Sequence, residues 1–190
     1  MEFISSPMNI KSLDQAGTFE GYASVFGAVD LQSEIVSPGA FSESLTAWKQ
    51  NGSFPKMLWQ HDPKSPVGVW DDMVEDQYGL FVKGHLLLDL QKGKDAYSLL
   101  KSGVVDGLSI GFVPKRSHKS GDVRILEQVD LFEVSLVTFM ANPLAKVTSC
   151  KQWTEAYDQT LYLMSRLKAL KKAMDKADWS VKGLMMEGFL

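Results

Sequence analysis

The chain has little of what marks several common protein classes. Its 190 residues include a single cysteine, Cys150, which excludes an internal disulfide and a cysteine-rich metal site. No apolar run reaches the roughly 18 to 20 residues that a membrane-spanning helix needs, and residues 1–11 lack the regions of a signal peptide. The net charge of -3 provides no basic footprint for nucleic acid. We therefore expect a cytoplasmic protein with no membrane or nucleic-acid partner.

Short strand patterns and turn residues fill most of the chain. The predicted strands are residues 19–26, 34–36, 56–60, 67–70, 73–75, 80–88, 107–113, 123–129 and 131–140. One short amphipathic helix is predicted between Ser37-Pro38 and Asn51-Gly52, and a second over residues 94–101, ended by Gly103. Residues 115–122 are predicted to be a solvated, mobile loop. The pattern indicates a mainly β fold with some helix, of the α+β class.

The character of the chain changes after Asn142-Pro143. Apolar residues recur at heptad-like spacing over residues 153–177, which predicts a long amphipathic helix that docks on the sheet or pairs with a second copy of the chain. The last eight residues are predicted to be a flexible tail. We therefore divide the chain into a domain of residues 1–148 and a C-terminal segment of residues 149–190.

Ser109 lies between two glycines in the apolar run GLSIGF, residues 107–112. Period-2 alternation places its hydroxyl on the opposite face of a strand from Leu108 and Ile110, and the small neighbours leave room for a substrate backbone. An isolated strand serine more often only bonds a neighbouring carbonyl. The G-x-S-x-G pattern resembles an α/β-hydrolase elbow, but no helix follows it and the only later histidine is His118, which disfavours that interpretation.

His61 and Glu133 supply the partners that a reactive serine requires. His61 follows a predicted strand, and Glu133 lies within an apolar strand, where a carboxylate is costly to bury without a cation or a hydrogen-bond donor. A serine nucleophile needs an imidazole to accept its proton, and the imidazole needs a third group to orient it. The hypothesis is therefore a relay of Ser109, His61 and Glu133, provided that a curved sheet brings three separate strands together.

The other candidate groups have simpler explanations. His85 is interpreted as a surface or hydrogen-bonded core residue of a regular strand, and His118 as a solvent-exposed residue among basic neighbours. Cys150 has no cysteine-protease signature around it. An acidic turn over residues 71–76 lacks the ligand spacing of a calcium loop. No metal or cofactor is predicted.

Five sequence blocks carry a family resemblance across residues 17–145. They are residues 21–26 (GYASVF), 37–41 (SPGAF), 59–62 (WQHD), 107–112 (GLSIGF) and 133–137 (EVSLV). In this order they resemble the prohead (capsid maturation) serine proteases of tailed bacteriophages.

The resemblance implies a fold, a task and roles. The fold would be similar to that of the herpesvirus assemblins, a β-barrel surrounded by helices. The task would be to cut the scaffolding segment from the major capsid protein, and usually the protease itself, inside the prohead in the host cytoplasm. His61 would be the general base, Ser109 the nucleophile and Glu133 the third member. The implied partners are the capsid protein and a second copy of this chain.

A second hypothesis comes from another class of protein. The chain could be a non-catalytic β-barrel module that binds the scaffold or assists assembly, with the long helix as its interaction element. This hypothesis expects ordinary hydrogen bonds for Ser109 and no contact with His61. An imidazole nitrogen within about 3.2 Å of the hydroxyl favours the enzyme.

Overall fold

The computed structural model describes residue 13 and residues 16–147, which lie in the first of the two units into which the chain divides, Met1–Ser149. Within this part the chain forms seven strands and two helices. The strands are β1 (Thr18–Val25), β2 (Glu34–Val36), β3 (Lys56–Trp59), β4 (Asp62–Glu75), β5 (Gly79–Leu86), β6 (Gly107–Ser120) and β7 (Val123–Val137). The helices are α1 (Ser42–Gln50) and α2 (Gln91–Lys101). Residues 148–190 lie outside the described residues. The domain boundary at residue 148, the C-terminal helix and the interpretation of Cys150 therefore stay predictions.

All seven strands belong to one sheet. Its order is β1-β5-β4-β3-β7-β2, and β6 also pairs with β7. Residues 145–147 link β6 to the first strand, because Leu108 N–H donates to Ala145 O (3.0 Å) and Tyr22 N–H donates to Lys146 O (3.2 Å). The sheet therefore curls back toward β1, and the mainly β fold with few helices is confirmed.

The concave side of the curled sheet holds the apolar core. Alternate residues of β5, namely Leu80, Val82 and Leu86, are almost completely buried, as period-2 alternation predicts. Helix α2 adds Leu100 to the same cluster and helix α1 adds Leu45. Burying one such side chain contributes about 1.5–3 kcal/mol, so the core holds the strands that carry the polar residues described below.

Residues 115–122 are not the predicted loop. Strand β6 continues through them to Ser120, turns at Gly121, whose φ is 62°, and pairs with the first part of β7. This end of β6 and its partner in β7 form a polar arm. Its side chains contact each other across the two strands instead of being buried; Arg116, for example, pairs with Glu127 at 3.0 Å. Pro114, predicted to end the strand, sits beside a bulge, where a proline is tolerated.

Two pairs of predicted strands are each one continuous strand. Strand β4 absorbs residues 67–70 and 73–75, and β7 absorbs residues 123–129 and most of 131–140. A register shift between Trp70 and Asp72 changes the phase of the apolar alternation in β4, so the sequence seemed to contain a break. Likewise the predicted break at residues 61–63 is only a tight turn at Gln60 and His61, and β4 starts directly after it at Asp62.

The helices end where their stop residues predict, but they begin elsewhere. Helix α1 begins at Ser42, four residues after Pro38, and α2 begins at Gln91, three residues before the predicted start. Gly103 follows α2 with a φ of 71°, the left-handed conformation that stops a helix. Neither of these helices has the length and apolar character needed to cross a membrane.

Candidate active site

Three neighbouring strands carry the candidate residues. Strand β7 lies between β3, which is parallel to it, and β6, which is antiparallel. The registers place Ser135 beside Leu58 on one side and beside Ser109 on the other, and they place Glu133 opposite Gly111. The serine and the acid therefore lie two residues apart along adjacent strands, which the sequence did not specify.

His61 lies in the tight turn that follows β3. Trp59 pairs with Asp62, so Gln60 and His61 form a two-residue loop, and both have positive φ values, 52° and 59°. Hairpins favour such a turn because its twist matches the strands, but a side chain other than glycine in this conformation costs about 1–2 kcal/mol. Strain of this kind persists where surrounding contacts hold it, and it clusters at functional sites.

Hydrogen bonds from β7 hold the strained turn. The backbone N–H of Gln60 donates to Leu136 O at 3.0 Å, and the N–H of His61 donates to Ser135 Oγ at 3.1 Å. On the following strand, the carboxylate of Asp62 accepts bonds from the Lys64 N–H and the Ser65 hydroxyl. The bond from the Ser65 hydroxyl lowers the pKa of Asp62, with the Lys64 N–H adding to the effect.

The structure brings the three predicted residues into one hydrogen-bonded series. The Nε2 atom of His61 is 3.0 Å from Ser109 Oγ, and its Nδ1 atom is 2.5 Å from Glu133 Oε1. A carboxylate only accepts hydrogen bonds, so Nδ1 carries a proton and Nε2 of the neutral ring is free to accept one. Ser109 is 8% exposed, and the side chains of Glu133 and His61 are 12% and 45% exposed.

The bond to Glu133 raises the pKa of His61 above its ordinary value of 6.5. The negative charge of Glu133 adds to this effect, and partial burial of the ring opposes it. A histidine in this state is a stronger base than one in water. It also needs a higher pH before it loses its proton.

A bulge and a glycine determine where Glu133 points. Gly111 pairs with Glu133 and Phe112 pairs with Leu131, so Phe132 is an extra residue in β7 and is exposed. Period-2 alternation along an unbroken strand would place Glu133 on the same face as Leu131, but the bulge shifts the alternation between them.

The missing side chain of Gly111 leaves the space that the carboxylate fills. A Cβ atom at Gly111 would lie 2.8 Å from Cδ of Glu133. The carboxylate therefore fills the space beside Gly111, and the predicted room for a substrate backbone above Ser109 stays a prediction. The sequence showed that Gly111 lies two residues after Ser109, but it did not show that Gly111 lies opposite Glu133.

Ser109 and His61 open onto a cleft of about 400 Å³. Apolar residues of β6 line it together with charged residues, among them Asp30, Glu34 and Arg124. Arg124 is paired with Glu34 at 3.2 Å. The cleft therefore combines an apolar wall with charged groups beside the Ser109 hydroxyl.

The other titratable candidates lie elsewhere and have local partners. His85 contacts the carboxylate of Asp71 at 3.0 Å, and His118 contacts Glu127 at 3.0 Å. The acidic residues predicted to form a turn lie in β4 up to Glu75, which accepts bonds from the Gly39 N–H and from the hydroxyl of Ser42, where α1 starts. These contacts give His85, His118 and Glu75 structural roles within the fold.

Ser135 is the residue of this site that the sequence analysis missed. It is completely buried, and its hydroxyl donates to Glu133 Oε2 at 2.5 Å. The available signal was a small polar residue two positions after a carboxylate in an apolar strand. That spacing places both side chains on one face.

A hydroxyl, an imidazole and a carboxylate in series form the arrangement typical of serine hydrolases. The family model described as "Caudovirus prohead serine protease" matches residues 6–160. This is more than half of the chain, and the chain belongs to that family. The predicted resemblance to phage prohead proteases is confirmed.

Individual proteins agree with the family match. The prohead protease of Enterobacteria phage HK97 is 36% identical over 139 residues, which cover 71% of this chain and 60% of that protein. The capsid polyprotein of Pseudomonas phage PAJU2 is 31% identical over 156 residues, which cover 77% of this chain and 22% of that protein. This chain therefore spans less than two thirds of the length of either relative.

Among solved structures, the bacteriophage T4 capsid assembly protease has a similar fold. Its TM-score is 0.53 at 10% sequence identity, and the match covers 63% of this chain and 81% of that one. At this identity the likeness concerns the fold alone.

Proposed function

We propose that this chain is a serine endopeptidase that cleaves the scaffolding segment of the phage major capsid protein, and itself, during prohead maturation. Family membership and the name of the HK97 relative support the protease activity. The PAJU2 relative, a capsid polyprotein that contains a segment similar to this chain, supports a capsid substrate. The place of action would be the prohead in the host cytoplasm, and the curled sheet would be an assemblin-like barrel.

The observation that carries the proposal is the contact of Ser109 with His61 at 3.0 Å, with Glu133 on the far side of the ring. In the proposed reaction, Ser109 Oγ attacks the peptide carbonyl while His61 Nε2 takes the hydroxyl proton and passes it to the leaving amine. Water then cleaves the acyl-enzyme with the same base. Glu133 keeps the proton on Nδ1 and stabilises the imidazolium that forms.

Co-expression with the cognate capsid protein tests this function. Wild-type protein should yield shortened capsid protein, and Ser109→Ala should yield only full-length capsid protein while remaining folded. Ser44→Ala is a matched control, because Ser44 is also a buried serine but lies on helix α1. Mass measurement of the products reads out the result, and processing by purified Ser109→Ala would refute the nucleophile.

The non-catalytic module remains the alternative from another class. It expects Ser109 and His61 to be apart, whereas their side chains are in hydrogen-bond contact. That contact favours the enzyme. The co-expression experiment distinguishes the two, because a module would bind the capsid protein without changing its mass.

A further inference from the structure

Ser135 occupies the point where the three strands of the site meet. It is completely buried in β7, with Leu58 of β3 and Ser109 of β6 as its neighbours in register. Its hydroxyl accepts the backbone N–H of His61 at 3.1 Å and donates its own proton to Glu133 Oε2 at 2.5 Å. One buried hydroxyl therefore contacts both the base and the acid. Within the part of the chain that the structure describes, it forms no hydrogen bond with Ser109 Oγ.

We propose that Ser135 is a positioning residue, which fixes the Glu133 carboxylate and the His61 turn relative to each other so that the relay to Ser109 is formed before substrate binds. This inference rests on the proposed function. It assigns Ser135 no contact with the substrate, and it predicts that Glu133 cannot hold the ring correctly alone.

The carboxylate needs a second contact because its last torsion is soft. The terminal sp³–sp² torsion of a glutamate is broad, so a single bond to the ring leaves the two oxygens free to rotate. Here Oε1 faces His61 Nδ1 and Oε2 faces the Ser135 hydroxyl, and the glycine opposite leaves no gap beside them. The two bonds together define the plane of the carboxylate.

The turn needs the same hydroxyl for a different reason. His61 has a φ of 59°, which is unfavourable for a residue with a side chain, and its N–H donates to Ser135 rather than to a strand backbone. A hydroxyl has one proton to donate. Because Ser135 accepts the N–H of His61 through its oxygen, its proton is available to Glu133, and the backbone of the base is coupled to the acid.

The surroundings of the ring limit which groups can set its titration. Within the described residues, the charged group in contact with the His61 side chain is Glu133 of β7. Asp62, which follows it, is bonded to Lys64 and Ser65, and Lys92 of α2 bonds the Ser65 hydroxyl. The other charged groups that line the same cleft are Asp30, Glu34 and Arg124.

The test compares Ser135→Ala with Ser44→Ala as a function of pH. Both serines are buried and both accept a backbone N–H, Ser44 from Leu131 at 2.9 Å, but only Ser135 contacts the acid. The probe is a fluorophosphonate, which does not require knowledge of the cleavage site. Ser109 Oγ forms the bond to phosphorus, the P–F bond breaks, fluoride leaves, and His61 takes the hydroxyl proton.

We expect Ser135→Ala to lower the rate constant of labelling at least tenfold. We also expect it to move to lower pH the acid limb of the pH profile, which is the range where the labelling rate falls because His61 becomes protonated. The limb moves down because a carboxylate that rotates away no longer raises the pKa of His61. Ser44→Ala should leave the limb in place even if it lowers thermal stability, and Ser135→Thr should restore the limb because it keeps the hydroxyl. A limb in Ser135→Ala that stays at the wild-type pH or moves up would overturn the inference.

A second measurement separates this inference from the proposed function. NMR titration of the ring follows the pKa of His61 directly, and the chain has only three histidines to assign. If wild-type protein is not labelled, the proposed function fails, while the titration still tests the inference. If wild-type protein is labelled and Ser135→Ala shows an unchanged pKa of His61, only the inference fails.

Discussion

Replacement of Glu133 by glutamine removes the negative charge of the acid and keeps its shape. The glutamine oxygen can still accept the proton of His61 Nδ1, but the bond is no longer charge-assisted. The side chain of Glu133 is 12% exposed and that of His61 is 45% exposed, so solvent screens the charge of the carboxylate only in part. The substitution therefore tests whether the acid contributes through charge.

The size of the effect follows from the replacement of a charged hydrogen bond by a neutral one, which contributes only about 0.5–1.5 kcal/mol. A hydrogen bond to a charged group contributes about 1.5–3 kcal/mol, and each 1.36 kcal/mol changes a rate about tenfold. The imidazolium that forms in the transition state depends on this bond more than the neutral ring does. The difference between the two kinds of bond is about 1–1.5 kcal/mol, so we expect Glu133→Gln to lower the rate of Ser109 labelling by about tenfold.

The pH dependence of the labelling rate gives a second, independent test of the role of Glu133. In wild-type protein the bond to Glu133 raises the pKa of His61 above 6.5, so the acid limb lies above pH 6.5. In Glu133→Gln the bond is no longer charge-assisted and the negative charge is gone, while partial burial of the ring remains, so the limb should move to lower pH. Asp71→Asn is the matched control, because it removes the carboxylate that contacts His85 instead.

The assay is the second-order rate of fluorophosphonate labelling, measured from pH 5 to pH 9 by intact mass. A wild-type rate and an unmoved acid limb in Glu133→Gln would refute the role of the acid. An equal shift in Asp71→Asn would show that the change reflects overall charge rather than the contact with His61.

Two further predictions depend on the same geometry. Gly111→Ala should fold but lose about 100-fold in labelling rate, because the new Cβ displaces the Glu133 carboxylate and a misplacement near 1 Å has that effect; a wild-type rate would contradict it. The raised pKa of His61 means that the folded state binds its proton more tightly, so this residue should stabilise the fold below pH 6.5 and lose that contribution as the pH rises through the folded pKa. Denaturant unfolding should therefore show the stability of wild-type protein relative to His61→Gln falling between pH 5 and pH 9, and a difference that does not change with pH would disprove it.

Local patterns in the sequence predicted the elements whose signals are local. The alternation of apolar residues in β5 predicted which of its side chains are buried. The glycines Gly52 and Gly103, which adopt positive φ, predicted where the two helices end. The polar arm of β6 was missed because its side chains are not buried, so its sequence shows no apolar alternation, although the arm pairs with the neighbouring part of β7 in a hairpin. The long strands β4 and β7 were divided for a different reason, since an extra residue at a bulge imitates a break in the alternation.

The sequence by itself determined that a serine, a histidine and an acid were available, and it connected them to a protease family through five ordered blocks. Only the tertiary structure decided that they meet. The parallel pairing of β3 with β7, the bulge at Phe132 and the strained turn at His61 bring side chains from two strands and a turn within hydrogen-bond distance. Strand pairing and register depend on contacts between residues far apart in the chain, which no local pattern encodes. For the same reason Ser135 is visible as a partner of both base and acid only after the chain has folded.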